Sequence, residues 1–169
     1  MISTLSGKVI KFGDNINTDL IIQGKYLRSI DPAELAQHAF EMMGKEYPQK
    51  LKQFDILVAG ENFGCGSARE QAATCLVGAG IKAVVAASFA RVFFRNAINS
   101  GLPIVECPAA VAELEEGDVL TLDFDQGRVV TPKGGHRIPP LPPSVREILE
   151  VGGLVPYLRR QFHSQTSKQ

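Results

Sequence analysis

Three short apolar runs, spaced a helix apart, constrain the fold of this chain more than anything else in it. They are Phe54–Gly60 (FDILVAG), Lys82–Ala87 (KAVVAA) and Leu102–Glu106 (LPIVE). Each is too short to cross a membrane and too uniformly apolar for a strand with one wet face, so each predicts a strand covered on both sides. Between the first two lies a helical pattern from Ala68 to Val77, closed by Gly78 and Gly80; between the last two lies SFARVFFRNAINS, read as a helix beginning at Ser88 and closed by Gly101. Strand, helix, strand, helix, strand is the signature of a parallel α/β layer with right-handed crossovers.

The flanks extend this layer. Lys8–Phe12 alternates and stops at Gly13-Asp14, which predicts a strand and a turn. Asp31-Pro32 opens a helix well, with Asp31 as N-cap and Pro32 at the first helical position, and Leu35, Ala39, Met42 and Met43 form its apolar face up to Gly44. After residue 107 the pattern changes to short alternating strands at Gly117–Phe124 and Arg128–Thr131 around a turn at Asp125–Gly127. A proline cluster, IPPLPPS, then leads to a last helix from Ser144 to Val151. The expected fold is α/β: one domain over residues 1–160, with a parallel βαβαβ layer, a small additional β-rich part and a C-terminal helix. Residues 161–169 form a polar tail expected to fray.

Charge excludes several function classes. Eighteen basic residues balance eighteen acidic ones in 169, so no global field recruits nucleic acid or an anionic membrane. Three cysteines, Cys65, Cys75 and Cys107, without CxxC spacing argue for a reducing compartment and against a zinc or iron–sulfur site within the chain. No apolar run reaches spanning length and the N-terminus has no secretory pattern, so a cytoplasmic location is expected.

The chemistry concentrates in AGENFGCGSAREQA, residues 59–72, where glycines precede a serine, an arginine and a glutamate. It is neither a P-loop nor a dinucleotide fingerprint. Two readings fit Ser67. It can cap the following helix, with Glu70 completing a capping box. It can also belong to an anion site, since glycines let backbone approach a ligand, a helix N-terminus favours negative charge and Arg69 suits a carboxylate. Cys65 is either a thiol favoured at a helix N-terminus or a small packing residue. Two further polar groups stand out: Asn17-Thr18-Asp19 with Tyr26-Leu27-Arg28, and Arg91, Arg95, Asn96 and Asn99, which share one helix face opposite Phe89, Val92 and Phe93. Each is either a solvated surface or part of an anionic-substrate cleft.

Taken together, GDNINTDLIIQGKYL, ENFGCGSAREQAA and SFARVFFRNAINSGLPIVE resemble, in that order and spacing, the small subunit of 3-isopropylmalate dehydratase and the matching swivel domain of the aconitase superfamily. The resemblance covers about residues 7 to 107 and implies a swivel-type domain. It further implies that Ser67 acts as catalytic base, that Asp19 is a second catalytic residue, and that Thr18, Cys65, Gly66, Arg69 and Arg28 bind substrate. Arg91, Arg95 and Asn96 would then border a shared cleft or interface. The family's [4Fe-4S] cluster sits on a separate large subunit, so this chain is expected to bind no cofactor itself, and its partners are that subunit and a small hydroxy di- or tricarboxylate. Ala68 and Gln71 stand where most relatives have serine and histidine. The REQAAT form and Arg28 are similar to homoaconitase-like members, and an arginine at position 28 suits an extra carboxylate. The first expectation is therefore isopropylmalate isomerisation in leucine synthesis, the second homoaconitate or 2,3-dimethylmalate chemistry. A carboxylate-binding module without turnover is the reading from another class.

Overall fold

The computed structural model describes residues 2–166. Its centre is the parallel layer: β1 (Thr4–Lys11), β2 (Ile56–Ala59), β3 (Ala83–Ala86) and β4 (Ile104–Glu106) lie side by side in sequence order. Val9 pairs with Ile56, Ile56 with Ala83 and Val84 with Ile104. β2 and β3 are buried at every position, as their uninterrupted apolar runs require. Alternate residues feed two cores. Ile10, Leu57, Ala59, Val84 and Ile104 pack beneath the helices α1 (Thr18–Ile21), α2 (Pro32–Ala36), α4 (Glu70–Gly78) and α5 (Arg91–Asn99). Val9, Ile56, Val58, Val85 and Val105 face the other way, toward α6 (Pro108–Glu113). The short α3 (Tyr47–Leu51) precedes β2 and buries Leu51.

The β-rich second half is not a separate layer. β5 (Val119–Asp123), β6 (Arg128–Thr131) and β7 (Gly134–Arg137) continue the same sheet antiparallel from β1, giving seven strands in the order β4-β3-β2-β1-β5-β6-β7. Leu120, Leu122 and Val129 share a core with Val85 and Val105, so the sheet curls over its own face. The chain closes with α7 (Pro143–Glu150) and α8 (Leu154–Thr166).

Three local expectations are corrected. Asp31 caps α2 through Ala33 N–H at 2.9 Å as foreseen, and Leu35 and Ala39 are buried, but Met42 and Met43 are 58% and 40% exposed. The helix stops at Ala36, well short of Gly44, and Phe40, at φ 55° and stacked on Phe12 at 4.3 Å between ring centres, turns the chain again before the two methionines. The helix expected from Ser88 begins at Arg91 with Ala90 as N-cap, because the Ser88 hydroxyl instead accepts Asn62 N–H at 2.8 Å. The polar tail is helical as far as Thr166, since α8 packs on α5 and α7; residues 167–169 lie outside the described residues.

Candidate active site

Ligands in parallel α/β sheets bind beyond the carboxyl ends of the strands, and here the loops leaving β1, β2 and β3 meet at that end. They prolong the sheet: Asn17 bridges to Cys65, and Phe63 to Phe89, both in the parallel sense. Thr18 N–H donates to Cys65 O at 2.9 Å, Gly64 N–H to Ile16 O at 2.8 Å, and Ala90 N–H to Phe63 O at 2.9 Å. Side chains add to this seam. Asp14 accepts Glu61 N–H at 2.7 Å, and Asn62 donates to Asn15 at 3.1 Å.

Two glycines make the seam possible. Gly64, at φ +80°, lies so close to α5 that a Cβ there would sit 2.2 Å from the Phe93 ring. Gly66, at φ +91°, has room for a side chain but not the backbone for one, and its turn presents Ser67 to solvent. That turn also overrules the capping reading. α4 begins at Glu70 with Arg69 in the cap position and no side chain capping it, while the Ser67 carbonyl is held by the Thr18 hydroxyl at 2.9 Å. Ser67 is thus free of the capping duty read from its spacing to Glu70, and Glu70 is the first helical residue and not the third.

A cleft of about 120 Å³ results, lined by Thr18, Gly64, Gly66, Ser67, Ala68, Arg69, Ala90, Arg91, Val92, Phe93 and Asn96. All three sequence stretches contribute. Arg69 is mostly buried, 17% exposed, and its Nη1 donates to Asp19 Oδ1 and to Ile22 O, the latter at 3.3 Å. Asp19 is 54% exposed, so its carboxylate occupies the guanidinium from the solvent side. Asn17 caps α1 through Leu20 N–H at 2.9 Å, which places Thr18 and Asp19 in the first turn. Cys65 contributes backbone to the seam and does not line the cleft. Arg95 sits next door, in a depression with Phe89, Phe94 and Glu106 that shares Arg91 with the cleft. Arg28 is exposed and lines a separate hollow with Lys25, Tyr26, Ser29, Glu34, Leu35 and His38. Sequence reasoning missed Gly64, Ala68, Ala90, Val92 and Phe93 as lining residues; the glycine was visible, but its close approach to Phe93 depends on how α5 packs.

Chemically, the cleft offers two guanidinium groups, a carboxamide and a serine hydroxyl beside the N-terminus of a nine-residue helix. Such a set holds an anion, and bidentate arginine contacts favour a carboxylate. It does not suit an iron–sulfur cluster. Among the described residues no three His, Cys, Asp or Glu side chains gather for a metal. Cys75 and Cys107 are buried in different cores, and burial pushes the Cys75 thiol up to about 12, away from the thiolate a cluster needs.

A seven-stranded curled sheet with this half-cleft defines an aconitase-type C-terminal domain, and the Aconitase C-terminal domain family matches residues 15–109. More particularly, the chain belongs to the family of 3-isopropylmalate dehydratase small subunits. The small subunit from Caldanaerobacter subterraneus subsp. tengcongensis is 48% identical over 159 residues, 93% of this chain and 99% of that one. Small subunit 1 of Archaeoglobus fulgidus is 50% identical over 155 residues, 90% of this chain and 96% of its own. The crystal structure of 3-isopropylmalate dehydratase (LeuD) from Methanocaldococcus jannaschii superposes with a TM-score of 0.89 at 43% identity, covering 98% of this chain and 99% of that one.

Proposed function

We propose that this chain is the small subunit of a two-subunit hydro-lyase that isomerises 2-isopropylmalate to 3-isopropylmalate by dehydration and rehydration, in leucine synthesis. The observation that carries the proposal is the cleft itself. It gathers Ser67, Arg69, Thr18, Arg91 and Asn96 from three stretches of a chain that matches dehydratase small subunits along nearly its whole length.

In this reading Arg69 binds a substrate carboxylate, exchanging Asp19 for it. Ser67 Oγ, as alkoxide, removes the proton from the carbon next to that carboxylate and holds it as a hydroxyl, while the hydroxyl of the neighbouring carbon departs to the Lewis acid that the partner's cluster would supply; the proton then returns to that neighbouring carbon as the hydroxyl adds to the first. A free serine hydroxyl is a weak base. Here the amide N–H groups at the start of α4 and the guanidinium groups of Arg69 and Arg91 favour the ionised oxygen. Thr18 holds the Ser67 carbonyl, and so fixes the backbone from which the base projects. Gly66 supplies the turn, and Asp19 keeps Arg69 oriented until substrate arrives.

The [4Fe-4S] cluster is assigned to a large partner subunit, since no fitting donor set gathers among the described residues. That subunit closes the cleft from the side where Arg91 and Arg95 stand exposed on α5. No helix among the described residues is long and apolar enough to cross a membrane, and the proposed location is the cytoplasm.

The decisive experiment reconstitutes the chain anaerobically with a cluster-loaded large subunit and offers 2-isopropylmalate, homoaconitate and 2,3-dimethylmalate side by side. Turnover of 2-isopropylmalate with the highest kcat/KM is the expected result. Preference for homoaconitate would move the assignment to a tricarboxylate substrate, and a formed complex that is silent on all three would leave a binding role.

A further inference from the structure

Two residues at the carboxyl ends of neighbouring strands share an uncommon backbone. Asn15, after β1, and Asn62, after β2, both lie in the left-handed region, at φ 54° and 58°. Asparagine tolerates that region better than most residues, yet it still costs free energy, and such outliers gather where function needs them. Both residues are exposed, so burial does not hold them there. Hydrogen bonds do.

The two asparagines and the acid before each form a latch. Asp14 Oδ1 accepts Glu61 N–H at 2.7 Å, Asn15 N–H donates to Glu61 O at 2.8 Å, and Asn62 Nδ2 donates to Asn15 Oδ1 at 3.1 Å. The Asp14 carboxylate fills the space beside residue 60, where a Cβ on Gly60 would meet Oδ1 at 1.8 Å. On the other side, Asn62 N–H donates to the Ser88 hydroxyl at 2.8 Å. Asn62 thus reaches both flanking loops, that after β1 with its side chain and that after β3 with its backbone. The glycine loop leaves directly from it. Phe63 N–H donates to Ser88 O at 3.1 Å, Gly64 N–H to Ile16 O at 2.8 Å, and Ser67 follows three residues on. Arg69 is held separately, by Asp19 and Ile22 O on the α1 side. Asn62 itself does not line the cleft.

We propose that Asn62 is a positioning residue for Ser67: held in left-handed backbone between Asn15 and Ser88, it sets how the glycine loop leaves β2, and so where the Ser67 hydroxyl stands relative to a carboxylate on Arg69. The catalytic consequence rests on the hydro-lyase reading; the setting of the loop does not. A base misplaced by about 1 Å loses on the order of a hundredfold in rate, while a carboxylate on an arginine anchored elsewhere is bound as before.

The test separates backbone from side chain. Asn62→Gly keeps the left-handed backbone and loses the bond to Asn15, and Asn62→Ala loses both. Asn62→Asp keeps a side chain suited to that backbone, with an oxygen to which the Asn15 amide, turned over, donates. In the reconstituted enzyme kcat for 2-isopropylmalate should fall about tenfold in Asn62→Gly and about a hundredfold in Asn62→Ala, with KM unchanged and most of the loss recovered in Asn62→Asp. In the chain alone, the amide NMR signals of Gly66 and Ser67 should move in Asn62→Gly and Asn62→Ala and return toward wild type in Asn62→Asp. Unmoved signals in both of the first two variants overturn the setting of the loop. An unchanged kcat, or a rise in KM that accounts for the whole fall in kcat/KM, overturns the positioning of the base. Should Asn62→Ala fail to fold, Asn62→Gly decides both points. If the wild type turns over none of the malates, the hydro-lyase reading fails while the amide signals still decide the setting of the loop.

Discussion

At the scale of single residues, Ser67 shows how a structural and a chemical reading separate. In sequence it fits a capping box with Glu70, and a hydroxyl that caps a helix is already spent on backbone N–H groups. In the fold the helix starts two residues later than that reading requires, at Glu70, and Ser67 is exposed at the mouth of the cleft. Replacing it should therefore leave the fold alone. For Ser67→Ala the expected outcome is loss of turnover in the reconstituted enzyme with stability changed by no more than about 0.5 kcal/mol, the range of surface substitutions. Chemical denaturation of the isolated chain and a turnover assay measure the two effects separately. A folded variant with near-normal activity would remove Ser67 from the mechanism.

At the scale of elements, the close approach of the glycine loop to α5 is the joint on which the site turns. A Cβ on Gly64 would meet Phe93 Cβ and Cγ at 2.2–2.3 Å, and φ +80° is unfavourable for any other residue. Gly64→Ala should destabilise by about 2–4 kcal/mol, combining overpacking with backbone strain. The loss should appear as a lowered denaturation midpoint with an unchanged slope. A midpoint within error of wild type would mean that α5 is free to shift. The same elements show what a sequence reveals. β2 and β3 were legible because a strand buried on both faces has no polar residue to blur it. The gathering of the three polar stretches was legible through their resemblance to a known family, and the parallel order of β1 to β4 then brings the three loops together. Asp31 was legible as the cap of α2, but two other helix starts were not: Ser67 and Ser88 both look like caps, and each is held by a neighbouring segment, through Thr18 on the Ser67 carbonyl in one case and Asn62 on the Ser88 hydroxyl in the other. β7, with the sequence GGHR, carries no strand signal at all and exists because β6 pairs with it from Thr131↔Gly134 to Arg128↔Arg137. Arg28 was placed at the substrate through the family resemblance, and in the fold it lines a hollow apart from the cleft.

At the scale of the whole molecule, stability and chemistry occupy opposite ends of the parallel layer. Asp55, just before β2, accepts Lys8 N–H from β1 at 3.0 Å and pairs with Lys82 ahead of β3 at 2.7 Å, tying three strands at their amino ends. The bond to Lys82, then that from Lys8 N–H, holds the Asp55 carboxyl below the ordinary aspartate range. A depressed folded-state value stabilises above the unfolded one, and the contribution disappears as pH falls through the folded value. Wild type should therefore exceed Asp55→Asn by on the order of 1 kcal/mol near neutral pH, a figure reduced for the solvent around both side chains. The difference should shrink toward zero below the aspartate range, in urea titrations at a series of pH values, with turnover unaffected. A constant gap at all pH values would show that the charge on Asp55 is not what ties the strands.

The seam joining the three loops has a consequence for how the enzyme comes together. Because those loops are hydrogen-bonded to one another as continuations of β1, β2 and β3, this face of the proposed active site is finished when the chain finishes folding. On this chain's side, docking the proposed large subunit then needs no moulding of the cleft around its partner. The observed rate of joining should climb in proportion to subunit concentration, without levelling off at the speed of an internal rearrangement.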